Sequence, residues 1–95
     1  MIKSYKDKRT EALFAGEFIK GTPSDVAKRA HKKLLQLNAA AALDDLKIPP
    51  ASKLHELSKG REGTWAIWVN RQWRITFKWV DGNPTDVCFE DYHDD

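Results

Sequence analysis

Ninety-five residues are enough for one domain with a modest core and too few for two. A hydrophobic content of 41% with 32% charged residues excludes an intrinsically disordered chain. The net charge of +2 is unevenly spread: residues 1–80 hold all sixteen Lys and Arg for a local +8, whereas residues 81–95 hold six acids and neither Lys nor Arg, for −6. A basic body with an acidic tail fits a polyanionic partner such as nucleic acid, and equally fits a solvated surface, because the pI of 8.7 lies under the value of about 9 usual for dedicated nucleic-acid binders.

One cysteine, Cys88, excludes an intramolecular disulfide and a cysteine-built zinc cage. "MIKSYKDKRTEALF" has no apolar signal-peptide region, and no stretch approaches the ~20 apolar residues of a membrane span. The expectation is a reduced, cytoplasmic protein without membrane association.

In chain order, Ile2 to Tyr5 reads as a short strand and Lys8 to Ala15 as a short helix. "GTPSDVAKRAHKKLLQLN" is the strongest helix signal: Thr22 suits the cap, Pro23 the first helical position and Asp25 the positive end of the dipole. Val26, Ala30, Leu34 and Leu37 recur at helical spacing and define a core-facing stripe. Lys28, Arg29, Lys32 and Lys33 fall on the other side, either as a solvated face or as a stripe that follows phosphates. Residues Ala39 to Leu46 read as another short helix, stopped by the prolines of "IPP".

From there the pattern changes to period two. A short strand is expected near Lys53 to Leu57. In "TWAIWVNRQWRITFKW", Trp65, Ile67 and Val69 share one face of a strand, and Trp73, Ile75, Phe77 and Trp79 one face of the next. Asn70 and Arg71 between them predict a tight hairpin, though Asn-Arg is weaker turn chemistry than Asn-Gly. "DGNPT" predicts a second turn before a closing strand from about Asp86 to Asp91. Helices followed by consecutive strands predict an α+β domain, a twisted, antiparallel-rich sheet packed against two or three helices on one face.

With the aromatic set directed inward, Gln72, Arg74, Thr76 and Lys78 point the opposite way, so Arg74 is expected mid-strand on the open face. Taken alone, that position favours a solvated surface residue. The wider set changes the balance: His55 near one strand, Arg74 on another, and Asp91, Tyr92 and His93 at the end of a third can converge if their strands are neighbours. An imidazole, a guanidinium and an acid/phenol/imidazole group suit phosphodiester chemistry in RNA without a metal. A base takes the ribose 2′-hydroxyl proton, a cation stabilises charge on the phosphate, and an acid protonates the departing 5′-oxygen. Each histidine alone reads as structural, and His31 on the long helix is assigned to that class. Alternation does not orient the last strand, because Val87 and Phe89 oppose Cys88 and Tyr92 and both sets are partly apolar. No phosphate loop, HExxH, GxSxG or persuasive carboxylate metal pair occurs, so no metal or cofactor is expected.

"LHELSKG", "GTWAIWVNRQWRITFKW" and "VCFEDYH", with the opening "MIKSY" and "AAALDDLKIPP", together resemble the HigB toxins of bacterial toxin–antitoxin pairs, a branch of the RelE-like superfamily. The likeness spans nearly the whole chain, and "NRQWRITF" with the terminal "DYH" is its most specific part. It implies a compact α+β toxin that cleaves messenger RNA on the ribosome, in the decoding site. It also implies a cognate helix-turn-helix antitoxin that blocks the toxin and represses their shared operon, so operator DNA is an indirect partner. The family's catalytic histidine falls on His55, its phosphate-binding arginine on Arg74, and its terminal acid, tyrosine and histidine on Asp91, Tyr92 and His93. Lys59 and Lys78 join Arg74 as expected substrate contacts.

One departure stands out. Relatives often carry "HxLKG", whereas here "HELSKG" puts Ser58 in the lysine's place and displaces Lys59 by one. On a strand that shift reverses the side chain; in a loop it does not. The competing readings are a non-catalytic RNA- or DNA-binding module using the basic helix and aromatics such as Trp68, and a degenerate toxin kept as its antitoxin's partner.

Overall fold

The computed structural model describes residues 1–91. Two helices, α1 (Lys8–Phe14) and α2 (Ser24–Ala39), and two 3₁₀ turns (Leu43–Lys47 and Pro50–Ser52) precede β1 (His55–Glu56), β2 (Thr64–Trp68), β3 (Trp73–Val80) and β4 (Asn83–Asp91). The strands form an antiparallel sheet in the order β1-β2-β3-β4, so the domain is α+β as the sequence predicts. No helix among the described residues is long and apolar enough to cross a membrane.

Helix α1 starts at a side-chain cap. Asp7 Oδ1 accepts from the Thr10 amide at 2.8 Å and from the Thr10 hydroxyl at 2.6 Å. The same hydroxyl accepts from the Phe89 amide at 2.9 Å, which ties the helix to the outer edge of β4. Helix α2 buries Val26, Ala30, Leu34 and Leu37, the expected stripe. It begins one residue later than expected, with Pro23 as N-cap and no side-chain cap bond, so Thr22 does not cap it.

The expected Ala39–Leu46 helix is replaced by an extended break at Ala40 and the 3₁₀ turn Leu43–Lys47. The physical cause is local. Asp45 Oδ2 accepts from the Ala41 and Ala42 amides at 2.9 and 3.1 Å, giving the backbone a partner other than a continuing helix.

On the helix side of the sheet Ile67, Val69, Ile75, Phe77, Val87 and Phe89 are at most 2% exposed and pack with Leu13, Leu34 and Leu37. Trp65, Trp73 and Trp79 are only partly buried around this core. Val87 and Phe89 therefore settle the orientation that alternation left open. Strand β4 starts at Asn83, earlier than expected, because a bulge lets the chain turn without leaving the sheet: Asp86 takes φ +50°, and the register with β3 shifts between Thr76 and Lys78. The extra residue puts Pro84 and Val87, three apart, both in buried positions.

That bulge also explains the amino terminus. Residues Ile2 to Tyr5 run beside β4 but pair through one parallel bridge, Tyr5 to Val87, and not as a regular strand. The Asp86 amide goes to Ser4 Oγ and the Val87 amide to the Ser4 carbonyl, so the outer edge of β4 is covered.

Candidate active site

On the face of the sheet away from the helices, two adjacent ladder rows hold His55 and Arg74. One runs His55, Ala66, Thr76, Cys88 across all four strands; the other runs Trp68, Arg74, Glu90. Register partners point to the same side, so His55 and Arg74 share this face, with Cα atoms about 12 Å apart on ladder spacing.

Arg74 departs from expectation in one respect: it is on the open face but only 4% exposed, not a solvated surface residue. Its Nη1 donates to the carbonyls of Asn70, Arg71 and Trp73 at 2.6, 3.0 and 3.2 Å, and its Cζ lies 3.9 Å from the centre of the Trp68 ring. A phosphate reaching it has to displace part of its cover. The hairpin preceding it is wider than the expected two-residue turn, Val69 to Gln72, and Asn70 shapes it: Oδ1 accepts from the Gln72 and Trp73 amides at 2.9 and 2.8 Å. The Asx turn closes the hairpin by hydrogen bonds, with no positive φ among residues 69–72. Arg74 and the hairpin thus fix each other.

His55 opens β1, which is shorter than expected because Lys53 takes a left-handed φ of +50° and the strand ends at Glu56. His55 Nδ1 is 2.8 Å from the Lys53 carbonyl, a contact that orients the ring and leaves Nε2 directed away from it. Lys53 Nζ sits 4.0 Å from the centre of the Trp68 ring, so one indole meets both Lys53 and Arg74. Lys59 lies beyond β1 in the loop before β2, with φ +57° followed by Gly60 at +87°. The segment is a loop, so the one-residue displacement does not reverse a strand side chain.

Lys78 pairs in register with Thr64 and Thr85 at the other end of the open face, 3.9 Å from Asp86 Oδ2. Asp91 is the register partner of Trp73, which places it on the face opposite Arg74, and its Oδ2 accepts from Gln72 Nε2 at 3.0 Å. Tyr92 and His93 lie outside the described residues. His31 is structural, with Nδ1 3.0 Å from the Leu13 carbonyl, and Lys33 of the basic helix donates to Ser52 Oγ at 2.5 Å.

Beside Arg74 stands a carboxylate that no sequence motif marks. Glu90 is Arg74's register partner and holds Arg61 through two bonds, Nη1 to Oε1 at 3.0 Å and Nη2 to Oε2 at 3.2 Å. Thr76 Oγ1 donates to Oε2 at 2.5 Å. Burial pushes the Glu90 carboxyl up, but the hydrogen bonds from Arg61 and Thr76 and the Arg61 charge outweigh it and hold the group below the ordinary carboxylate range. A Glu directly after the apolar run Val87–Phe89 was the available signal; the bulge hid which face it took.

A family model described as the RelE-like toxin of type II toxin–antitoxin system HigB matches residues 3–93. A Proteus vulgaris protein named Endoribonuclease HigB is 37% identical over 93 residues, covering 98% of this chain and all of the relative. Toxin HigB-1 of Vibrio cholerae is 36% identical over 83 residues, 86% of this chain and 87% of the relative, and an uncharacterized Haemophilus influenzae protein is 31% identical over 71 residues, covering 75% and 69%. The chain belongs to the HigB-like toxin family of RelE-like type II toxin–antitoxin systems.

Proposed function

We propose that the chain is a ribosome-dependent endoribonuclease that cuts messenger RNA in the decoding site and inhibits growth until an antitoxin neutralises it. The observation that carries this reading is a buried guanidinium, Arg74, braced by three carbonyls and an indole on the same face as His55, in a chain matching the HigB toxin family from residue 3 to 93. A cation fixed beside the phosphate stabilises the charge that develops there, once the phosphate has displaced part of the Arg74 cover.

In this mechanism Arg74 holds the scissile phosphate with Lys59 beside it, and Lys78 contacts the flanking backbone. His55 and His93 divide proton transfer and charge stabilisation, taking the 2′-hydroxyl proton and returning one to the 5′-oxygen. Tyr92 positions the nucleotide, while Asp91, on the face opposite Arg74 and held by Gln72, stays outside the reacting centre. The partner is a helix-turn-helix antitoxin, and the toxin meets operator DNA only through that complex. The site of action is the cytoplasm, where ribosomes translate.

The test is a purified translation system with one defined messenger. The account expects cuts only when the message is translated, in phase with codons, and none in naked RNA. Tight binding to RNA with no cuts under either condition would instead favour a binding module.

A further inference from the structure

The loop between β1 and β2, residues 57–63, carries Lys59 and Arg61. Its own bonds shape it: the Leu57 amide reaches the Thr64 carbonyl at 2.8 Å, Gly63 N donates to Glu56 Oε2 at 2.8 Å, and Gly60 N donates to Glu62 Oε2 at 3.0 Å. These are contacts among neighbours. The Arg61–Glu90 pair is of another kind, because it joins residues 29 apart and links this loop to the strand at the far side of the sheet.

Strand order gives the path of that link. Arg61 precedes β2, and Glu90 is on β4, so the guanidinium reaches across β3, where Thr76 donates to the same carboxylate. The pair is bidentate and about three-quarters buried, with side chains 28% and 23% exposed. Parallel N–H to O bonds fix an angle as well as a distance. Lys59 stands two residues before Arg61 in the same loop, on a left-handed backbone step.

We infer that Arg61 and Glu90 are positioning residues that hold the 57–63 loop over the open face of the sheet and thereby set the reach of Lys59 toward the phosphate bound at Arg74. This rests on the nuclease reading. It also accounts for the displaced lysine: the loop, and not the strand register, decides where Lys59 goes. A misplacement of about 1 Å costs a catalytic rate up to about a hundredfold.

The experiment is cleavage of one defined messenger at saturating translating ribosomes by the full chain and by Arg61→Gln, Glu90→Gln, Lys59→Ala and the double variant Lys59→Ala/Arg61→Gln. Each single change is expected to lower the maximal rate about tenfold or more, with half-saturation little moved. The double variant is expected to be no slower than its slower parent, since a displaced loop has already lost Lys59. Arg61 is on a loop, so Arg61→Gln decides the matter if Glu90→Gln does not fold. Wild-type rates for the pair variants, or losses that multiply in the double variant, would overturn the inference and leave the nuclease reading standing. A wild-type chain that leaves the message intact would overturn both.

Discussion

Trp68 and Arg74 are register partners on adjacent strands, and the guanidinium lies 3.9 Å from the centre of the indole. The ring therefore sets the plane of the cation while three carbonyls set its edge. A point charge on a flexible stem reproduces neither. Arg74→Lys is expected to lose about a hundredfold or more in messenger cleavage while keeping native circular dichroism. Trp68→Phe keeps most activity, and Trp68→Ala loses about tenfold, the worth of a partly desolvated cation–π contact. Full activity in Arg74→Lys would separate this contact from catalysis.

Glu90 makes stability depend on acid. Its folded pKa is below the unfolded reference of 4.5, so its contribution is complete above that value and is lost as pH falls through the lowered folded value. Denaturant midpoints measured across this window should fall more steeply for the wild type than for Glu90→Gln. Asp7 is lowered as well, against its own burial, by the hydrogen bonds from Thr10, so the difference between the two proteins, not the wild-type slope alone, reads Glu90.

Cys88 is a poor nucleophile. Burial first, then the charges of Asp7 and Glu90, push its thiol from 9.0 to about 11. At pH 8 the thiolate population is then about a hundredfold below that of an unperturbed cysteine, and alkylation slows accordingly. The folded thiol keeps its proton longer than the unfolded one, so stability falls as pH rises from about 9 to 11. Rapid labelling of the folded protein at pH 8 would contradict this.

Asp7 serves two elements at once. It caps α1 and fixes the Thr10 hydroxyl that receives the Phe89 amide. Asp7→Ala is expected to cost about 2 kcal/mol in equilibrium unfolding, the upper end for a lost cap. Asp7→Asn, which keeps an acceptor, recovers most of it.

Periodicity made the helix stripe Val26, Ala30, Leu34, Leu37 and the inward set of Ile75 and Phe77 legible, because each follows one simple repeat over several turns or residues. What it could not supply came from long-range or irregular contacts. Asp45 turns the backbone after α2, Asp86 shifts the phase of β4, and Asn70 widens the hairpin, each through a local hydrogen bond or a positive φ that leaves no period. The same bulge separates Asp91 from Arg74 in face and leaves Glu90 beside it. That His55 and Arg74 stand on one face follows from strand alternation and sheet order; the Arg61–Glu90 link does not, since nothing local ties residues 29 apart.

The most direct measurement is mapping of messenger 5′ ends in bacteria after induction of the wild type and of Arg74→Ala, at matched levels of folded protein. The account predicts growth arrest with new ends in register with codons for the wild type, and neither for the variant. Arrest and phased ends from Arg74→Ala, or no new ends from a soluble wild type, would contradict it.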